Sequence, residues 1–223
     1  MTRPACHAVN STAARGLLAA LALAATAPAW AGRPLAVDDA NTNDAGRGHL
    51  EVWATRVPGS TVLTLAPAYA PIDGLELAAA YARENGSGIN ATTLQLKWRI
   101  TASQDDGCNL GLSLGSSKVS QGGGRVNYVN GLGTCNGVAG GSVHVNLGQA
   151  KASGVSAIGT WGMAYERPMG AVTPHIEWFG SEGAKPTVQI GLRGDVASGW
   201  QLDGTVGRGD GQSVYTLGFK RSF

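Results

Sequence analysis

The residues best equipped for chemistry in this 223-residue chain are isolated charges set among apolar neighbours: Glu51, Glu76, Glu166, Glu177 and Asp203 against Lys97, Arg99, Arg193 and Lys220, with His144 and His175. They lie in segments where apolar side chains recur at every second position, and they take the alternate positions, so they share one face of a pleated ribbon. A nearly balanced set of this kind has two uses. It can line an aqueous path that selects by local field. It can also pair off into an ionic network that fills a narrow barrel, because charges removed from water need partners.

Covalent chemistry has weaker support. A hydrolase needs a nucleophile, a base and an orienting group that converge, and the nearest approach is Ser142-x-His144, a spacing that is common by chance. The expectation is a protein that is not an enzyme, with no cofactor and no metal. Asp39-Ala-Asn-Thr-Asn43 resembles the start of a calcium loop, but Asp44 stands where a glycine is needed and Leu50 where a glutamate is needed. Arg208-Gly209-Asp210 is read as part of a Gly-Asp-Gly hairpin turn rather than as an adhesion triplet. Cys108 and Cys135, the two cysteines after Cys6, are expected to form a disulfide at one rim of the fold, since two thiols without neighbouring histidines do not complete a zinc site.

The elements that hold these residues begin after a leader. Arg3 and Arg15 precede or open an apolar run, Gly16 to Ala25, and Ala29-Trp30-Ala31 follows as a small-x-small cleavage pattern. This is the layout of a secretory signal peptide over residues 1–31. The leader contains no acid, so its two arginines come out of the 17 basic residues and leave fifteen against 15 acidic ones. A neutral mature chain lacks the electrostatic footprint for nucleic acid.

From His49 onward, ten-residue segments of period two alternate with Gly, Pro, Asn or Asp clusters. Representative one-sided rows are Leu94/Leu96/Trp98/Ile100, Leu110/Leu112/Leu114, Val143/Val145/Leu147 and Val188/Ile190/Leu192. A weaker segment, Arg125 to Thr134, supplies Val126 and Tyr128 to its apolar row. The count is about twelve strands, with ten as the alternative, in an all-β up-and-down meander. Outward turns are predicted at Pro58 to Ser60, Glu84 to Gly88, Lys118 to Gly124, Gln149 to Gly154, Ser181 to Lys185 and Arg208 to Gln212.

Sandwiches and membrane barrels both alternate, so what occupies each face decides between them. The polar face is largely small, with Ala78, Ala80, Gly111, Ser113, Gly162 and Ala164, which suits the concave inside of a barrel. The apolar face carries Trp98, Trp161, Trp178, Trp200, Tyr69, Tyr81, Tyr165 and Tyr215, in the manner of interfacial aromatic girdles. Trp53 falls on the polar face. The final segment places Tyr215, Leu217, Phe219 and Phe223 in alternation, and resembles the C-terminal signal by which bacterial outer-membrane barrels are recognised by their assembly machinery. The expected location is the outer membrane of a Gram-negative bacterium, with membrane lipid, lipopolysaccharide and the assembly machinery as partners.

Arg33-Pro34-Leu35, then Asp38-Asp39-Ala40, then Gly46 to Trp53 with Glu51, resembles the opening of a broad family of uncharacterised outer-membrane barrels described as transporters linked to degradation of phenols and related aromatics. The resemblance covers about twenty residues and implies passage of small, even hydrophobic, molecules. The expected organisation is residues 1–31 as signal peptide, 32–47 as a periplasmic lead-in and 48–223 as the barrel. Arg33 to Asp44 would lie at or in the periplasmic mouth, with Asp38 and Asp39 meeting Lys97 or Arg99. The expected function is passive movement of small solutes, and the alternatives are a structural or surface-interaction barrel with a plugged lumen and, last, a lipid-modifying enzyme.

Overall fold

The structure, a computed structural model, describes residues 35–223. The expected signal peptide, together with Arg33 and Pro34, lies outside the described residues. Twelve strands follow one another: β1 Gly48–Val57, β2 Ser60–Ile72, β3 Leu75–Glu84, β4 Asn90–Arg99, β5 Gly107–Val119, β6 Gly124–Val138, β7 Gly141–Ala152, β8 Ile158–Glu166, β9 Val172–Ser181, β10 Thr187–Ala197, β11 Trp200–Gly209 and β12 Gln212–Ser222. Each pairs antiparallel with its neighbours in sequence, and β1 closes on β12 from His49↔Ser222 to Arg56↔Tyr215. The result is a closed up-and-down barrel. Closure leaves no strand edge exposed.

An even strand count puts both ends of the barrel sequence at one rim, where Gly48 and Phe223 exchange backbone hydrogen bonds of 2.9 Å. We call this the terminal rim and the opposite one the distal rim. The distal connections are tighter than the sequence suggests. Lys118 and Val119 belong to β5, β7 runs on to Ala152, and Arg208 and Gly209 belong to β11. The turn that closes β11 on β12 is Asp210–Gly211, with φ of 46° and 78°. Positive φ at both central residues is what a two-residue hairpin of matching twist requires, so Asp210 is committed to the turn.

Alternation sorts the side chains into two populations. The outer surface is apolar on strand after strand: Leu63, Leu77, Leu94, Met163, Ile176, Ile190 and Leu202 are exposed, and Leu147 and Leu217 reach 66% and 70%. Positions within the strands place Tyr69, Trp98, Tyr165 and Trp200 near the terminal rim, and Tyr81, Trp161, Trp178 and Tyr215 toward the distal half. Trp161 meets Trp178 edge-on at 4.9 Å, and Trp200 stacks on Phe219 at 5.7 Å. The inner surface is polar and buried, including Glu51, Lys97, Asn109, Ser113, Thr134 and Glu177.

One strand reverses the sequence reading. Val126 and Tyr128 face inward, where Val126 is buried and the Tyr128 hydroxyl donates to Gln95 Oε1 at 2.5 Å. The outward row of β6 is Asn127, Val129, Gly131, Gly133 and Cys135. Pairing enforces this parity. Cys135 is the register partner of Cys108 and is bonded to it, and Cys108 shares the outward row of Leu110, Leu112 and Leu114.

The Cys108–Cys135 disulfide closes a stretch of 27 residues at the terminal rim. Constraint of the unfolded chain by a loop of this length is worth roughly 3 kcal/mol. Changing both cysteines to serine should therefore lower the unfolding midpoint of the detergent-folded protein by that equivalent and abolish the gel-mobility shift on reduction, with the barrel otherwise retained.

Candidate functional site

The inside of the barrel is occupied by the chain's own N-terminal segment. From Gly48 the backbone runs back through Arg47 and Gly46, which exchange hydrogen bonds with Ala70 on β2, and then turns into the lumen. Asn43 is held first, its backbone N–H and side-chain amide donating to Glu76 Oε2 at 2.9 and 2.8 Å. Its side chain also meets His49 Nδ1. The Ala40 N–H donates to Thr134 Oγ1 at 2.9 Å. Asn146 then grips Asp38 at both backbone groups, accepting from its N–H and donating to its carbonyl, each at 2.7 Å. Glu177 Oε2 accepts from the N–H groups of Ala36 and Val37 at 2.5 and 2.8 Å. Glu76 is the second residue of β3 and Asn146 the sixth of β7, while Glu177 is the sixth of β9. The segment thus climbs from the terminal rim past mid-barrel.

These contacts follow from a simple requirement. A non-regular segment inside a closed barrel has no strand to satisfy its backbone, and buried N–H and C=O groups must be paired. The wall supplies side chains in place of a strand. Asn146, with a donor and an acceptor on one amide, reproduces the exchange a neighbouring strand would make.

Charge follows the same logic. Lys97 Nζ lies 2.8 Å from Asp38 Oδ1 and 3.7 Å from Asp39 Oδ1, with Lys97 and Asp38 both fully enclosed. The two aspartates of the motif therefore converge on Lys97. Arg99 takes a different partner. It binds the exposed turn residue Asp73 through both carboxylate oxygens at 2.8 Å, because it lies at the terminal end of β4 beside the β2–β3 turn. Arg193 reaches Glu166 at 2.9 Å, and His144 lies 3.5 Å from the same carboxylate. Glu51 is flanked by Lys220 and His49, each at 3.6 Å. His175 stands 3.9 Å from Glu177, and Asp203 is the register partner of Arg193.

An apolar patch completes the seat. Leu35 and Val37 pack on Ala164, with Phe179 against them. Gly162 makes room: a Cβ there would fall 2.9 Å from a Val37 methyl. Gly111 does the same lower down, where a Cβ would lie 3.3 Å from the Ala40 carbonyl oxygen. The small inward residues thus create the cross-section the segment fills.

The Ser142-x-His144 pair is divided. Ser142 donates its hydroxyl to Asn136 at 2.8 Å, while His144 Nδ1 meets Thr134 Oγ1 at 2.9 Å. Thr134, His144 and Glu166 do form a hydroxyl, imidazole and carboxylate series, but the Thr134 oxygen accepts the Ala40 N–H, so the series serves as an anchor for the segment. Among the described residues no group of three or more His, Cys, Asp or Glu is placed to hold a metal ion. The uncharged anchors Thr134, Asn146 and Phe179 were not singled out in the sequence, where attention falls on charges. Their signal is parity: Asn146 shares the inward row of His144 and Phe179 that of His175 and Glu177, while Thr134 lies on the inward row of β6 as the register partner of His144.

The family described as uncharacterised conserved protein UCP029691 matches residues 19–218. No curated protein matches the sequence. Among solved structures the chain is similar to a KdgM porin, at 14% identity and a TM-score of 0.69 over 78% of this chain and 99% of the other. A second structure of that porin, in complex with disordered oligogalacturonate, gives 15% identity and a TM-score of 0.70 over 78% and 99%. A NanC porin gives 10% and 0.64 over 77% and 98%. The likeness is one of fold.

Breaking the central pair should release the segment. Lys97→Met leaves two carboxylates in the lumen without their ammonium, and removing one partner of a buried pair costs about 3–5 kcal/mol. Amide exchange at Ala36, Val37, Asp38 and Ala40 should accelerate by at least about a hundredfold, while the strand amides remain protected. Unchanged exchange would mean that the pair does not hold the segment.

Proposed function

The chain belongs to the family described as uncharacterised conserved protein UCP029691, and we propose that it is an outer-membrane barrel that passes small solutes when its N-terminal segment leaves the lumen. The observation that carries this reading is the seat itself. Side chains of a barrel wall hold residues 36–43 through hydrogen bonds and the ion pairs of Lys97 with Asp38 and Asp39, with no covalent tie or strand pairing within the lumen. Such contacts can be exchanged for water and solute one at a time. The twelve-stranded fold is shared with porins, one of them in complex with an oligogalacturonate.

The outer-membrane location is supported by the apolar exterior. A soluble monomer rarely exposes an apolar patch of more than a few hundred Å², and here exposed leucines, isoleucines and tryptophans occur around the barrel. In this reading residues 1–31 are the export signal, 32–47 the lead-in that enters the lumen, and 48–223 the barrel. The terminal rim faces the periplasm. Tyr215, Leu217, Phe219 and Phe223 lie on the closing strand, where the assembly machinery would read them. The resemblance to barrels linked to aromatic degradation gains support from what lies beneath the segment. Once Leu35 and Val37 withdraw, Phe179, Ala164 and Gly162 form an apolar surface beside the carboxylate of Glu177. That combination suits a small aromatic solute bearing a hydroxyl. The protein acts by passage and not by catalysis.

The filled lumen favours a second reading, a permanently closed structural or surface-interaction barrel. Conductance separates the two. In planar bilayers the mature chain should open rarely, and a variant lacking residues 35–44 should conduct continuously. Silence of both, across voltage and pH, would remove the channel. Location has its own test. Leu147→Arg puts a cation at mid-strand on the outer face and should cost about 2–4 kcal/mol of bilayer insertion, whereas an effect no larger than that of a rim substitution would argue against lipid there.

A further inference from the structure

Beyond the distal aromatic belt, the outward strand positions carry charge of one sign. Arg56 on β1, Arg83 on β3, Lys118 on β5, Arg125 on β6, Lys151 on β7 and Arg208 on β11 are all exposed at the distal ends of their strands. Acidic residues nearby are placed elsewhere. Glu84 has inward parity and is bonded by Ser60 and Ser87, Glu182 lies in the β9–β10 connection, and Asp210 lies in its turn. Among the described residues none of the six cations is in an ion pair. The terminal rim differs. Arg221 is the cation at an outward strand position there, and it lies 5.1 Å over the Trp200 ring and donates to the Ser198 carbonyl.

Three of the six stand on adjacent strands. Lys118 and Arg125 are register partners, and Lys151 is paired with Asn127, one outward position from Arg125. Like charges directly opposite repel, and three neighbouring strands span only about 10 Å. Arg125 donates to Ser116 Oγ at 2.9 Å, which anchors one edge of a guanidinium with five donors. Beside it opens a cavity of about 370 Å³, lined by Lys118, Gln121, Arg125 and the glycines 122 and 124. Toward mid-barrel on the same strands, past one polar outward row of Ser116, Asn127 and Gln149, stand the exposed apolar residues Leu114, Val129 and Leu147. A concentrated positive site above a lipid-facing apolar strip is complementary to an amphiphile with an anionic head.

We propose that Lys118, Arg125 and Lys151 form a binding site for a phosphorylated lipid of the outer leaflet. Its phosphates sit on Lys118 and Arg125, and its acyl chains lie along Leu114, Val129 and Leu147. Phosphate suits this site better than a carboxylate, because both accept two parallel hydrogen bonds from a guanidinium but phosphate keeps a further oxygen and charge for the adjacent ammonium. The site rests on the outer-membrane reading, which puts the distal rim at the outer leaflet.

The test uses the mature full chain folded in detergent, with bound lipid measured by native mass spectrometry. A bis-phosphorylated lipid A should bind, and its dephosphorylated form should bind at least about tenfold more weakly. Lys118→Gln with Arg125→Gln should lose about tenfold or more in affinity, as expected for loss of hydrogen bonds to a charged group, while Arg221→Gln retains it. Heat-modifiable gel mobility checks that each variant is folded, and the exchange Lys118→Arg with Arg125→Lys should restore binding. Equal binding of the two lipids, or full binding by the glutamine variant, would overturn the site. Displacement of the lipid by millimolar inorganic phosphate would reduce it to an anion site and also overturn the proposal. A chain that never enters bilayers tells against the outer-membrane reading, whereas an inserted barrel indifferent to lipid phosphates tells against this site alone.

Discussion

Closure of the sheet is the constraint from which the other features follow. With β1 paired to β12, the backbone donors and acceptors of every strand are consumed by neighbours, and the only surfaces left to differ are the inner and outer faces. Alternation then becomes a division of solvents. Each strand that puts leucine or isoleucine outward must put its next residue into a confined space, and the confined space determines what that residue can be. Lys97 between Leu96 and Trp98, or Glu177 between Ile176 and Trp178, is tolerable only because the interior offers partners.

Those partners are largely the chain's own N-terminal segment. A lumen walled by polar groups and small residues would be open to water if nothing entered it. Here Ala40 and Asp38 are 0% exposed, and Glu177 and Lys97 are 1% and 2% exposed, so the segment and the wall exclude solvent from one another. The wall holds the segment mainly by its backbone, through Glu177, Asn146, Thr134 and Glu76, and its side chains are held by Lys97 at Asp38 and Asp39 and by Glu76 at Asn43. Hydrogen bonds to the backbone fix the path, and the seating of Leu35 and Val37 on the apolar patch fixes the register along it. Sliding by one residue would keep a carboxylate beside Lys97, since Asp38 and Asp39 are adjacent, but would bring Leu35 and Val37 off the patch made by Phe179 and Ala164.

Much of the architecture was legible in the sequence because period two survives in nearly every strand. The misreading of β6 has a definite cause. Val126 and Tyr128 are apolar enough to be assigned outward, and Gly131 and Gly133 erase the contrast that would correct them. The correction was nevertheless available: a disulfide to Cys108 puts Cys135 on the same outward row as Leu110, and counting back from Cys135 turns Val126 and Tyr128 inward. Three of the distal cations, Lys118, Lys151 and Arg208, were read as parts of turns because they flank glycine clusters. Only strand length shows that Lys118, Lys151 and Arg208 are still within the sheet.

What the sequence by itself determined was the division into strands, the two-faced ribbon, and the meeting of the motif's aspartates with a lumen cation, because these depend on side-chain period and on charge balance, both local properties. What only the tertiary structure decided was which cation that is, how far the segment enters, and which uncharged residues receive it. Lys97 and Arg99 have the same parity and nearly the same sequence setting. They differ because strand tilt and the β2–β3 turn bring Asp73 to one and the climbing segment to the other, and the convergence of groups from β3, β4, β6, β7 and β9 on one short peptide is a property of the closed circle that no single strand carries.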